Sequence, residues 1–413
     1  MVTLQSADNA LKSVYLGVVA NQLNINANPL MGKIKQTTQD VWGKEIIKLA
    51  PYGINGGIGA GAETDALPKA GGNNYVQFKT ALKNLYGRIE ISDKAIRSSA
   101  NSTGAFVNLL NDEMEGLIKA SSFNFGRMLY GDGSGLLATV SSVSGTTVTC
   151  DSVKNMIEGM IVDFYNGNTK VADASGYRIT YVDRVNKKIT LDFSSTQAAK
   201  VAQGHKIYVQ NSKGFEITGL GAIFDDNAAT LYGLTKANYP WLKPYTSTTE
   251  TEISDSLIQG AVDYLEEASG SNINFISCAS DVRRAYQEYL GAYRRNIDVM
   301  ELAGGYKAIT YNGIPVVADR FVADGTMYLL NTNDFVLHQL CDWKWLEGED
   351  GRVLKQNAGF PTYSATLVKY ADLICDRPCG QAMIKNIKST VTNPFIPTVN
   401  VTNNVPTNES TGG

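Results

Sequence analysis

Lys83-Asn84-Leu85-Tyr86-Gly87-Arg88-Ile89-Glu90-Ile91-Ser92 is the stretch on which the fold of this chain turns. Just before it, Val76, Phe78, Thr80 and Leu82 alternate with Gln77, Lys79 and Lys83, the two-residue period of a half-buried strand. Within it the apolar parity passes to Ile89 and Ile91, so a bulge or sharp bend is expected at Asn84–Gly87. Upstream, residues 51–74 carry seven glycines and two prolines, too many for a regular element. Irregular stretches longer than about 12–15 residues tend to be functional or disordered. Together, residues 45–92 read as a long two-stranded loop projecting from a body.

A helix is predicted over 103–130, with Phe106, Leu110, Met114, Leu117, Ser121, Phe125 and Met128 forming one stripe. Gly131-Asp132-Gly133-Ser134-Gly135 ends it. Over 136–213 the character changes to short β-rich runs divided by turns: 146–149, 160–165, 177–182, 188–191 and 206–209. That spacing indicates an inserted small β-barrel or sandwich. From Gly214 the pattern is α+β. A helix over 253–269 stops at Gly270, Phe275–Cys278 reads as a buried strand, and Ser280 can cap another helix running to Leu290. Tyr311-Asn312-Gly313-Ile314 is a hairpin turn, and strands are expected near 326–330, 335–339 and 363–369.

The two ends read differently from the body. Leu11, Val14, Tyr15 and Val18 recur at helical spacing over 7–22; an arm reaching a neighbour and a helix docked loosely on its own subunit both fit. Residues 389–413 are rich in Thr, Asn, Val and Pro, with Glu409 as the single charge. Val391, Phe395, Val399 and Val401 suit strand addition to an exposed sheet edge of a neighbour. Packing on the same subunit is the alternative.

Composition excludes more than it assigns. With 413 residues, 43% apolar and 19% charged, the chain is long enough for about three domains. A net charge of −3 argues against a nucleic-acid binder. No apolar run reaches the roughly 18 residues of a membrane span, and residues 1–8 lack a signal-like start. The five scattered cysteines read as reduced thiols and not as a disulfide framework. His205 and His338 stand far apart in apolar strands and read as structural. Cys375 and Cys379 could be half a metal site, but no second pair completes it. Gly57-Ile58-Gly59-Ala60-Gly61 lacks the helix start of a dinucleotide loop, and Pro68 follows too soon. No catalytic constellation, cofactor site or metal site is assigned; the chain reads as a non-enzyme.

The order of these parts resembles the major capsid proteins of tailed bacteriophages, whose fold also occurs in encapsulins. The resemblance rests on the arm helix, the glycine-rich hairpin with Lys83–Ser92, and the long helix with its Leu129-Tyr130-Gly131-Asp132-Gly133 exit. It continues through Gly214-Phe215-Glu216-Ile217-Thr218-Gly219-Leu220, Tyr311–Val316 and Tyr328-Leu329-Leu330-Asn331. No single motif is specific; the order is.

The resemblance implies an N-terminal arm (1–44), an E-loop (45–92) and a P-domain with the spine helix (93–135). The inserted β domain (136–213), an A-domain (214–340), a P-domain return (341–388) and an extended tail (389–413) follow. It implies an icosahedral shell of hexamers and pentamers, assembled in the bacterial host cytoplasm and ending in the virion capsid. DNA is enclosed without sequence-specific binding. The expected partners are copies of the chain itself, a portal protein, and a separate scaffolding or auxiliary capsid protein; no membrane is involved. Residues expected at contacts between subunits are Lys69, Lys79, Lys83, Tyr75 and Phe78 of the loop, Tyr15 and Val18 of the arm, and Phe395 and Val399 of the tail. No cross-link is assigned. An encapsulin-type compartment shell is the nearest rival. A phage tail or adhesin protein would explain 136–213 but not the long helix.

Overall fold

The computed structural model describes residues 28–63, 66–94, 103–293, 299–301, 307–348 and 351–389. The helix read at 7–22, with Tyr15 and Val18, and the tail beyond 389, with Phe395 and Val399, lie outside them. The described chain begins with β1 (Lys35–Thr37), β2 (Val41–Trp42), β3 (Glu45–Tyr52), β4 (Asn74–Ala81), β5 (Lys83–Ser92) and α1 (Thr103–Tyr130). The insertion carries β6 (Leu136–Ser144), β7 (Thr147–Cys150), β8 (Ile161–Asn166), β9 (Thr169–Lys170), β10 (Tyr177–Asp183), β11 (Lys188–Leu191), α2 (Ser195–Ala198) and β12 (Lys206–Val209).

After it come α3 (Leu220–Ile223), β13 (Thr230–Leu231), β14 (Leu234–Thr235), β15 (Tyr245–Ser247), β16 (Thr251–Glu252), α4 (Asp255–Ser269), β17 (Phe275–Cys278) and α5 (Ser280–Tyr293). The chain continues with β18 (Val299–Glu301), β19 (Lys307–Tyr311), β20 (Ile314–Ala318), β21 (Met327–Leu330) and β22 (Phe335–Trp345). It closes on β23 (Lys355–Gln356), β24 (Thr362–Cys375), β25 (Ala382–Ile384) and β26 (Ile387–Lys388).

Two sheets organise the body. In the first, β24 is central, flanked by β22 and β23 on one side and β5 on the other, with β1 parallel to β22. The second is seven-stranded, in the order β15-β25-β21-β17-β20-β19-β18. The turn from β19 to β20 is the Asn312-Gly313 type, both residues at positive φ (47° and 79°), as its sequence requires. Helix α1 bridges the sheets. Its Leu117 presses on β5 at Gly87, where a Cβ would come 2.9 Å from Leu117 Cδ1, which explains the glycine in the Lys83–Ser92 stretch. Farther along, Phe125 meets the Trp343 ring edge-on at 6.2 Å, and the Tyr130 hydroxyl lies 2.7 Å from Ser277 Oγ on β17.

Three boundaries differ from the sequence reading. Strand β5 pairs with β24 from Lys83↔Ala371 to Ser92↔Thr362, while the hairpin is β3 against β4, Glu45↔Ala81 to Tyr52↔Asn74. The projecting element therefore ends at Ala81. The parity break falls at Leu82, because Leu85 is already buried in the new phase. Residues 28–37 are body and not arm: Leu30, Met31 and Ile34 are buried in the core, and β1 is a strand of the first sheet. Finally, β22 continues across 340/341 as one strand, with a shift in its register to β24 between Gln339 and Cys341, and β25 returns to the seven-stranded sheet beside β21.

The insertion closes on itself. Its strands run β10-β11-β7-β6-β12-β8, and β8 pairs back to β10, making a six-stranded barrel with β9 as an appendage of β8. Strand β6, which the sequence reading passed over, supplies the closing neighbours for β7 and β12. Closure removes the exposed sheet edge. The barrel also has its own apolar core, including Val148, Met156, Phe164, Ile179, Ile189 and Ile207, separate from the body core. Expressed alone, residues 136–213 should give a single cooperative transition in urea, followed by circular dichroism. A gradual, non-cooperative loss of signal would contradict that expectation.

Candidate assembly surfaces

The hairpin has a locked root and an open tip. At the root, Phe78 is 0% exposed. Its ring lies 5.2 Å from that of Tyr232 and 5.9 Å from that of Trp241, and Tyr52 stacks on Trp241 at 5.8 Å. The Lys79 N–H donates to the Tyr232 carbonyl at 2.9 Å, and Lys48 Nζ to Asp376 Oδ2 at 2.7 Å. Ile46, Ala50, Val76 and Phe78 belong to the same core cluster as the body. The hairpin is thus a cantilever from the core and not a tether.

Beyond the root, the described residues of 53–73 are all exposed, and several of the apolar ones are large. Ile54 and Ile58 are each 77% exposed and Leu67 is 90% exposed. Trp42 and Leu49, on the adjoining strands, also face solvent, as does Tyr75. Exposed apolar patches of this kind mark contact sites for proteins, membranes or ligands, or aggregation liabilities.

The residues expected at contacts separate accordingly. Lys69 and Tyr75 lie exposed on the hairpin, with Asn73 Nδ2 donating to Tyr75 Oη at 3.2 Å. Lys79 is exposed and ion-paired with Glu45 at 3.0 Å, a surface pair of little energetic weight. Phe78 is a correction: it fills its own subunit's core, since the parity that points Lys79 outward points Phe78 inward. Lys83 is also drawn inward, half-buried and lending positive field to Asp372.

Strand β24 holds charges that the sequence reading missed. Asp372 is fully buried, its carboxylate accepting from Thr80 Oγ1 (2.7 Å), the Thr218 N–H (2.7 Å), Thr218 Oγ1 (3.1 Å) and the Leu373 N–H (3.0 Å). Burial pushes its carboxyl up from the usual carboxylate range, against these bonds and the field of Lys83. Lys369, also fully buried, donates to Asp342 at 2.6 Å and Gln339 at 2.8 Å, and sits 5.5 Å from the Phe125 ring centre. Burial pushes its ammonium down, and Asp342 pulls it back. An ion pair buried on both sides, Arg127 with Glu216, joins the end of α1 to the segment leaving the barrel. The available signal was Lys369 and Asp372 standing inside an otherwise apolar run, Leu367–Cys375, where charges are almost never buried unpaired.

Of the two histidines, His205 accepts from the Ala202 N–H at 3.2 Å through Nδ1 inside the barrel. His338 places Nδ1 3.0 Å from the Gln39 carbonyl, beside the hairpin root. Cys375 is buried and Cys379 half-buried, both as free thiols. Among the described residues, no group of three His, Cys, Asp or Glu side chains could hold a metal ion, and no helix is long and apolar enough to cross a membrane.

No protein-family model and no curated protein matches this chain. Solved structures do. The chain is similar to the capsid of cyanophage A-1(L), with a TM-score of 0.52 and 13% identity, over 89% of this chain and 92% of that one. The SrpI encapsulin complex of Synechococcus elongatus PCC 7942 aligns at a TM-score of 0.45 and 10% identity, over 89% and 90%. The capsid of Myoviridae phage XM1 aligns at 0.44 and 8%, over 87% and 91%. The fold is α+β and is that of a phage capsid protein.

Two outcomes are expected from the hairpin root. Phe78→Ala should lower unfolding stability by about 3–5 kcal/mol, read from urea denaturation, because the aromatic cluster around it cannot collapse into the space. His338 should make the fold acid-sensitive. Burial holds its imidazole below the ordinary 6.5, with Lys48 adding to the depression while Gln39, Asp40 and Asp376 oppose it. The native state then binds fewer protons than the unfolded state, so this contribution is intact above 6.5 and is lost as pH falls through the lowered native value. Asp372, with its raised value, has the opposite sign, so the test is a difference: stability of the parent minus that of His338→Gln should decrease on acidification. A difference independent of pH would refute the assignment.

Proposed function

We propose that this chain is the major capsid protein of a tailed bacteriophage and that its copies assemble as hexamers and pentamers into an icosahedral head enclosing double-stranded DNA. The observation that carries this is the hairpin: a root built into the core, and a tip offering Ile54, Ile58 and Leu67 to solvent. A cantilever with an apolar tip serves a neighbour. The tip is costly to order alone, and ordering it on a partner offsets that cost. In this reading β3, β4 and their connection form the E-loop and α1 the spine of the P-domain. The seven-stranded sheet belongs to the A-domain, and the barrel is a surface insertion.

Each contact is modest, but every subunit makes several, so strength accumulates by multivalency. A net charge of −3 suits a container that encloses DNA without gripping its sequence. A portal protein and a separate scaffolding or auxiliary protein complete the proposed set of partners, and assembly takes place in the host cytoplasm. The work is mechanical, with no catalytic step.

An encapsulin-type compartment is the second reading, favoured by the shared fold alone; the closed barrel inserted after α1 weighs towards the phage. Electron cryomicroscopy of purified particles separates them: a large DNA-filled head supports the first, a small shell around an enzyme cargo the second. Deleting residues 54–72 should leave a folded, soluble subunit that forms no closed shells, measured by sedimentation. Shells of normal size from that deletion would show that the tip is idle.

A further inference from the structure

The barrel and the rest of the chain carry opposite charge. Residues 136–213 hold nine Lys and Arg against six Asp and Glu; of the chain totals of 37 and 40, that leaves 28 basic against 34 acidic residues elsewhere. The positive charge gathers at the turn from β10 to β11, where Arg184, Lys187 and Lys188 are exposed beside the exposed Tyr181 and Val185. The turn is held in shape by Asp183. Its Oδ1 accepts from the N–H groups of Val185 (3.1 Å) and Asn186 (3.0 Å), and its Oδ2 from Asn186 Nδ2 at 2.7 Å. Those bonds occupy the carboxylate in the turn. The Lys187 carbonyl accepts from the Cys150 N–H at 2.9 Å and Lys188 lends positive field to Asp183, but neither ammonium makes a hydrogen bond or salt bridge among the described residues.

Helix α4 shows the reverse. Its fifteen residues contain Asp255, Asp263, Glu266 and Glu267 and no cation. Glu266 and Glu267 fall in the last turn, the end whose carbonyl dipoles favour cations and disfavour anions. Both are exposed, neither has an ion-pair partner among the described residues, and the neighbouring Tyr264 is exposed too. Arg377 donates to the Ser269 carbonyl at this end at 3.1 Å, but its ion pair is with Asp334 and not with either glutamate. The barrel meets the body through Lys154, which donates to the Val322 carbonyl at 2.6 Å and to Asp324 at 2.5 Å; among the described residues, no hydrogen bond or ion pair joins it to α4.

We infer that the β10–β11 turn docks on the C-terminal end of α4 of a second copy, with Lys187 and Lys188 facing Glu266 and Glu267 and the exposed tyrosines flanking the contact. The inference rests on the shell reading above. Charges at such a rim fix register and speed encounter more than they add affinity, so the barrel orients adjacent copies during assembly. The attraction is short-ranged, screened beyond about 8 Å at physiological salt.

The test uses particles assembled from a mixture of ordinary and heavy-isotope-labelled full-length chain, treated with a carbodiimide that condenses an amine with a carboxylate. Mass spectrometry should find an amide between Lys187 or Lys188 of one copy and Glu266 or Glu267 of another. The reversal K187E/K188E should slow assembly by about tenfold or more, as should E266K/E267K, with circular dichroism confirming that both fold. Combining the two reversals should bring the rate back to within about twofold of the parent. Particles lacking that cross-copy amide, or a combined variant no faster than either half, would overturn the contact while leaving the shell reading intact. Absence of particles from the unaltered chain would overturn the shell reading itself.

Discussion

A buried carboxylate with four donors holds the architecture together. Asp372 lies on the central strand of the first sheet, and its oxygens take hydrogens from the hairpin (Thr80), from the segment leaving the barrel (Thr218) and from its own strand (Leu373). An isolated carboxylate in such a place would cost many kcal/mol, and it persists only because each neighbour supplies a donor at bonding distance. The constraint is mutual. The hairpin root cannot shift relative to β24 without stripping a donor from Asp372, so the direction of the projecting tip is set from inside the core.

Lys369 and Arg127 act in the same manner at other junctions. Lys369 fixes β24 to β22 under α1, through Gln339, Asp342 and the face of Phe125. Arg127 clamps the end of α1 to Glu216, where the chain re-enters the body after the barrel. Such groups add little net stability compared with apolar packing, but losing one partner strands the other, which penalises alternative arrangements.

The molecule divides its stability between two cores. The hairpin root, both sheets and α1 share one apolar cluster, while the barrel closes around another. Only the hairpin root draws its burial from the core of the body. That division suits a rigid frame carrying one projection built into it and one appended unit of opposite charge.

By itself the sequence determined the elements whose burial follows a simple period. It located α1, the α4 stop at Gly270, the Asn312-Gly313 turn and five of the six barrel strands, because each is decided by neighbours a few positions apart. It also carried the family resemblance, through the order of those parts. Tertiary structure alone decided which strand answers β5, that residues 28–37 join the first sheet, and that Phe78 turns into its own core. Only it could decide that Lys369 and Asp372 are buried with partners, since those partners lie 27 and 292 residues away along the chain, at Asp342 and Thr80. Pairing and desolvation are properties of chain segments brought together, and no local pattern of residues encodes which segments meet.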